Sequence, residues 1–156
     1  DVTLFALDEA AYKDAVAKGI VTETGDDNGA KVDTSDELVI TEGVKFAIIS
    51  NFTVPENCKM VETGILFAAN KNSSDIPTVD LTLGNAGTNG ILRVKSTAHT
   101  PGNQYVISIN TPKIAGKKVG EVGMKWVAYM TYTDKDGNMI TVYSDPTSPT
   151  NTTDTF

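Results

Sequence analysis

From Val122 to Tyr132 every second residue is apolar: Val122, Met124, Trp126, Ala128, Met130 and Tyr132 share one parity. A period of two belongs to a β-strand, whose successive side chains leave on opposite faces; an α-helix scatters such positions around its circumference. The stretch is therefore read as a strand, Val122–Thr133, with Trp126 and Tyr132 on its apolar face.

The same period recurs. Val44, Phe46, Ile48 and Phe52 are placed on one side of a strand over Val44–Phe52, with Lys45 and Asn51 opposite. Tyr105, Ile107 and Ile109 alternate with Val106, Ser108 and Asn110. A strand over Met139–Ser144 follows the long one across Asp134-Lys135-Asp136-Gly137, a hairpin loop with glycine where a positive φ is wanted. Shorter strands are expected at Leu38–Thr41, Met60–Ala68, Val79–Leu83 and Ile91–Ser96. About seven short strands joined by polar turns predict a mostly β, antiparallel sandwich. Its expected core is Phe46, Ile48, Phe52, Ile65, Phe67, Ile107, Ile109, Trp126 and Ala128.

One segment departs from this pattern. Asp8 to Lys18 reads as a short helix, capped by Asp8, with Leu7 and Tyr12 at staple spacing and Gly19 as its stop. The expected organisation is an N-terminal extension over 1–42 packed on the sandwich, the sandwich over 43–145, and a linker-like tail over 146–156. Residues 22–37 are acidic and turn-rich, and the Pro/Thr/Asn-rich tail is expected to add little to the fold. Phe156 is its exception, a terminal ring that could anchor in a neighbour's groove, or the tail could add a strand at a sheet edge; a short edge contact or none is expected, with a sandwich that stays stable when cut after Asp145. The chain opens on Asp1 without a signal-peptide pattern and is read as mature or trimmed.

From about Gly43 to Asp145 the chain resembles the immunoglobulin-like and fibronectin-type-III-like modules of bacterial surface and secreted proteins. The resemblance lies in VPENCKMVETGILFA (Val54–Ala68), NQYVISINT (Asn103–Thr111) and WVAYMTYTDKDGNMITVYSD (Trp126–Asp145). It implies an extracellular or cell-surface location and a spacer, stalk or adhesion role beside neighbouring domains or subunits. It carries over no catalytic or binding residue.

Net charge −7 disfavours nucleic acid and anionic membrane surfaces, and no apolar run approaches the roughly 20 residues of a membrane-spanning helix. Cys58 is the single cysteine, so no intramolecular disulfide forms, and it is read as a small buried or half-buried residue. His99, the only histidine, sits in a turn-like TAHTP without a GxSxG serine to serve. One His and one Cys supply no zinc set. The Gly-rich 84–90 stretch leads into a strand and lacks the GK[ST] of a phosphate loop. No cofactor is expected, and the chain is read as non-catalytic.

Asp134, Asp136 and Asn138 alternate as at the start of a calcium loop, but Gly137 stands at the fourth position and a hairpin turn is the better reading. Asp26, Asp27, Asp33, Asp36 and Glu37 are the better calcium candidates, set against the ordinary solvation of an acidic loop. Tyr129 and Tyr143, on neighbouring strands, form a candidate platform for a polysaccharide, although cross-strand tyrosines also stabilise ordinary sheets. The sequons at Asn51, Asn72 and Asn151 mean little in a bacterial chain. Three functional readings follow: a structural or adhesion module, a self-assembling subunit of a surface filament or phage capsid decoration, and a carbohydrate-binding module.

Overall fold

The computed structural model describes residues 21–22, 29–96 and 103–156. The expected helix at Asp8–Lys18, together with Asp26, Asp27 and His99, lies outside the described residues. The described strands, in chain order, are β1 (Val21–Thr22), β2 (Lys31–Thr34), β3 (Val39–Thr41), β4 (Lys45–Thr53), β5 (Lys59–Asn70), β6 (Leu92–Lys95), β7 (Gln104–Asn110), β8 (Gly123–Thr133) and β9 (Met139–Tyr143). Among the described residues the only helical segments are short 3-10 turns.

Two sheets pack face to face. One has the order β1-β9-β8-β5-β6; in the other, β2 and β3 pair with successive halves of one side of β4 while β7 pairs with its other side. Every pairing is antiparallel except the two-residue match of β1 to β9. The sheets bury their facing sides around Phe46, Ile48, Phe52, Ile65, Phe67, Tyr105, Ile107, Trp126 and Ala128, with half-buried Ile109 against them. The alternation in β8 holds throughout: Val122, Met124, Trp126, Ala128, Met130 and Tyr132 all face this core. Val44 differs from its expected facing and is exposed, because it precedes β4 and follows the turn at Gly43.

The first sheet is covered on both sides. Leu66 and Ala68 of β5, Val127 and Tyr129 of β8 and Met139 of β9 meet a second apolar layer from the 71–91 connection: Leu81, Leu83, Ala86 and Ile91. This explains why β8 is buried at nearly every position rather than at alternate ones. It also explains why Val79–Leu83 forms no strand. Leu81 and Leu83 are both drawn down onto the sheet, and the backbone closes on itself through Thr82 N–H to Asp80 O (3.2 Å) and Asn85 N–H to Thr82 O (3.1 Å). Conversely, residues read as loose contain β2, whose Val32 faces the core.

The linker-like tail is fastened to the sandwich. It leaves β9 with Ser144 N–H donating to Ala128 O (2.9 Å), and Thr147 exchanges two 2.9 Å backbone bonds with Trp126. It then crosses to the second sheet, where the Asn151 amide brackets Leu38: Leu38 N–H donates to Oδ1 (3.0 Å) and Nδ2 donates to Leu38 O (2.9 Å). Val119 N–H and Gly120 N–H donate to Asp154 O and Thr152 O, and Phe156 exchanges backbone bonds with Gly116 and Lys117. Phe156 itself is 1% exposed, inside the core. Composition marked this segment as a linker because its alternation is absent; it is held by one terminal ring and by backbone and amide bonds, none of which leaves a hydrophobic period.

Candidate functional site

The outer face of the first sheet holds a buried ion pair and an open groove. A bulge in β5 lies just before the ion pair. Met60 pairs with Tyr132 and Glu62 with Thr131, leaving Val61 as the extra residue. Met60 packs into the inter-sheet core while Val61 packs into the outer layer, and Glu62 follows on that same outer parity with Leu66 and Ala68. The bulge re-aims Met60, which shares the sequence parity of Glu62 yet faces the opposite side.

On that outer parity Glu62 meets Arg93 of β6 and Tyr129 of β8. Arg93 donates from Nη2 (2.7 Å) and Nε (3.3 Å) to Glu62 Oε2, the Tyr129 hydroxyl donates to the same oxygen, and Arg93 Nε lies 3.4 Å from the Tyr129 hydroxyl. The Arg93 and Glu62 side chains are 8% and 2% exposed. Burial works against the Arg93 charge, but its bonds to Glu62 and Tyr129 outweigh this and leave its pKa above the ordinary value. Burial, then the adjacent Glu62 carboxylate, push the Tyr129 phenol well above its usual range. Glu62 Oε1 is buried without a hydrogen-bond partner. The three side chains tie β5, β6 and β8 together beneath the outer layer.

Gly64, in the GILF stretch, serves the same corner. A Cβ there would overlap the Val94 carbonyl and come within 2.8 Å of the Tyr129 hydroxyl. Tyr105 of the second sheet reaches across the core to donate to Gly64 O (2.9 Å), and burial raises its phenol pKa too.

Tyr129 and Tyr143 are direct cross-strand partners, as their strands require. Yet Tyr129 is 0% exposed, so the two-ring platform is not formed: the 71–91 connection covers it, which strand parity alone does not reveal. Half-buried Tyr143 borders an open groove of about 630 Å³, with Asp80, Thr82 and Asn85 on one wall and Lys125 of β8 in another. Its hydroxyl accepts from Leu83 N–H (3.0 Å), which joins the groove wall to the sheet. The groove thus offers one aromatic edge beside carboxylate, amide, hydroxyl and ammonium groups.

Other candidates are placed as follows. The 134–138 loop is a hairpin turn: Asp134 Oδ1 accepts from the backbone N–H groups of Asp136 and Asn138 (2.9 Å each), and Gly137 has φ 82°. The Asn138 N–H, with help from Asp136 and Lys135, holds the exposed Asp134 carboxyl below its ordinary pKa. Asp33 is exposed on β2, Asp36 uses its carbonyl to accept from Thr150 N–H (2.9 Å), and Glu37 N–H donates to Ser35 Oγ (3.2 Å). Among the described residues no three His, Cys, Asp or Glu side chains cluster as a metal site. Cys58 is half-buried against the inter-sheet core.

Sequence reasoning missed Glu62 and Arg93 because neither belongs to a motif and their meeting depends on how two strands 31 residues apart pair. It missed Asn151 because a sequon says nothing of an amide bracketing a distant backbone. No protein-family model matches the chain, and no curated protein matches it in sequence.

Proposed function

We propose that this chain is a non-catalytic structural or adhesion module of the immunoglobulin-like or fibronectin-III-like kind, carried on a bacterial surface or secreted protein outside the cytoplasm. The observation that carries this reading is the tail. Phe156 sits in the chain's own core, 5.5 Å from the Phe46 ring, and not as a free anchor for a neighbour. A tail ring that fills its own chain's core is not offered to a neighbour, which suits a spacer better than a subunit that reaches into another copy through this segment. The buried Glu62, Arg93 and Tyr129 support it further, since they bond to one another across three strands. Sedimentation analysis over a wide concentration range tests the reading: a monomer throughout is expected, and concentration-dependent polymers would put the self-assembling subunit in its place.

A second reading has its own support. The groove beside Tyr143 presents an aromatic edge with Asp80, Thr82, Asn85 and Lys125, a mixture that suits a sugar's apolar face and hydroxyls. A polysaccharide pull-down compared between the wild type and Tyr143→Ala tests it; retention lost in the variant supports carbohydrate binding, and equal or absent retention removes it.

A further inference from the structure

A second cavity lies elsewhere, at the side of the sandwich where both sheets end, between β6 and β7. It measures about 350 Å³, and core residues Phe46 and Phe67 form part of its lining. Phe46 and Ile109 form the wall from the second sheet, Phe67 and Leu92 the wall from the first, and Ile114 lies beyond them. Leu92 remains 47% exposed at this mouth although its strand parity turns it inward, opposite Phe67.

Three features together describe an occupant. The lining is dominated by apolar and aromatic side chains and the volume falls at the lower end of small-ligand sites, so the occupant has a slender apolar body. The charged residues that line the cavity are Lys71 and Lys113, both exposed and both cationic, in a chain of net charge −7. Thr111 also lines the cavity, and its Oγ1 is buried without a hydrogen-bond partner. A hydroxyl without a partner has a donor to offer an oxygen that comes within its reach.

We infer that this cavity binds an amphiphilic carboxylate, its aliphatic chain laid along Leu92, Phe67 and Ile109 and its carboxylate at the mouth with Lys71 and Lys113. The ammonium groups supply the charge preference, and the apolar walls supply most of the affinity. This site is separate from the groove at Tyr143 and does not depend on the structural reading above.

The test uses the full chain with octanoate, octanol and octylamine, each below its micelle concentration, followed by methyl NMR and calorimetry. Octanoate is expected to bind most tightly and octylamine least, with shifts centred on Leu92, Ile109 and Ile114. Lys71→Gln with Lys113→Gln should weaken octanoate by about five- to tenfold and leave octanol unchanged, the size set by two exposed ion pairs. Because both lysines are exposed, this double variant keeps its fold, which an unaltered melting temperature verifies. Equal binding of octanoate and octanol, shifts centred on Tyr143, or no saturable binding of any probe would each overturn the proposal.

Discussion

The Phe156 ring packs against the Phe46 ring with centroids 5.5 Å apart and planes at 53°, and Phe46 in turn meets Phe67 at 5.7 Å. The last residue of the chain is thereby part of a ring cluster that spans both sheets. Removing it opens a cavity beside Phe46. Phe156→Ala should cost about 3–5 kcal/mol, and cutting after Asp145 should cost at least as much because it also removes the Asn151 bracket on Leu38. Chemical denaturation of both variants measures this. A truncated chain as stable as the full one would mean that the tail only decorates the sandwich.

Arg93 and Glu62 form an ion pair with little access to water. Such a pair contributes little net stability as a pair, but deleting one partner strands the other charge. Arg93→Ala should therefore cost about 3–5 kcal/mol, while replacing both residues by apolar side chains of similar volume should cost far less. A double-mutant cycle by urea unfolding distinguishes the two; equal losses for single and double variants would show that packing, and not charge, governs this corner.

Tyr105 and Tyr129 have phenol pKa values raised in the folded chain, by burial first and for Tyr129 also by Glu62. An unfolded tyrosine ionises near pH 10. Below that pH both states keep the proton and the full stability is present. Above it the unfolded state alone releases protons, so each phenol lowers stability by up to about 1.4 kcal/mol per pH unit until its folded pKa is reached. Tyrosinate absorbance from these two residues should emerge together with the loss of near-UV dichroism, and Tyr129→Phe should reduce that cooperative amplitude. Smooth ionisation of every tyrosine while the native signal persists would contradict it.

Gly64 occupies a place where a Cβ overlaps the Val94 carbonyl and crowds the Tyr129 ring. Because backbone cannot step aside as a side-chain tip can, Gly64→Ala should cost at least the about 1–3 kcal/mol typical of overpacking. Adding Tyr129→Phe removes the hydroxyl but not the carbonyl, so it should restore only part of the loss. Thermal melts of the single and double variants measure this, and an unchanged Gly64→Ala melting temperature would exclude the close approach.

How far the sequence alone determined this protein follows from which forces are local. Period-two alternation registers one strand's facing without reference to any other, so β4, β7, β8 and the inter-sheet core from Phe46 to Trp126 were legible directly. The hairpin at Asp134–Asn138 was legible for the same reason, since an aspartate bonding its own following N–H groups is chemistry within five residues. Tertiary structure alone decided the rest. The outer layer over Tyr129 arises because the 71–91 connection folds back onto a sheet face that parity marks only as the other side. Glu62 meets Arg93 because the pairing of β5 with β6 sets Arg93 opposite Leu66, on the face that Glu62 shares. Phe156 enters the core because amide and backbone bonds, which leave no hydrophobic period, carry the tail around the sandwich to Phe46. Each of these is a contact between residues far apart in the chain, selected by burial and hydrogen-bond satisfaction and not by local propensity.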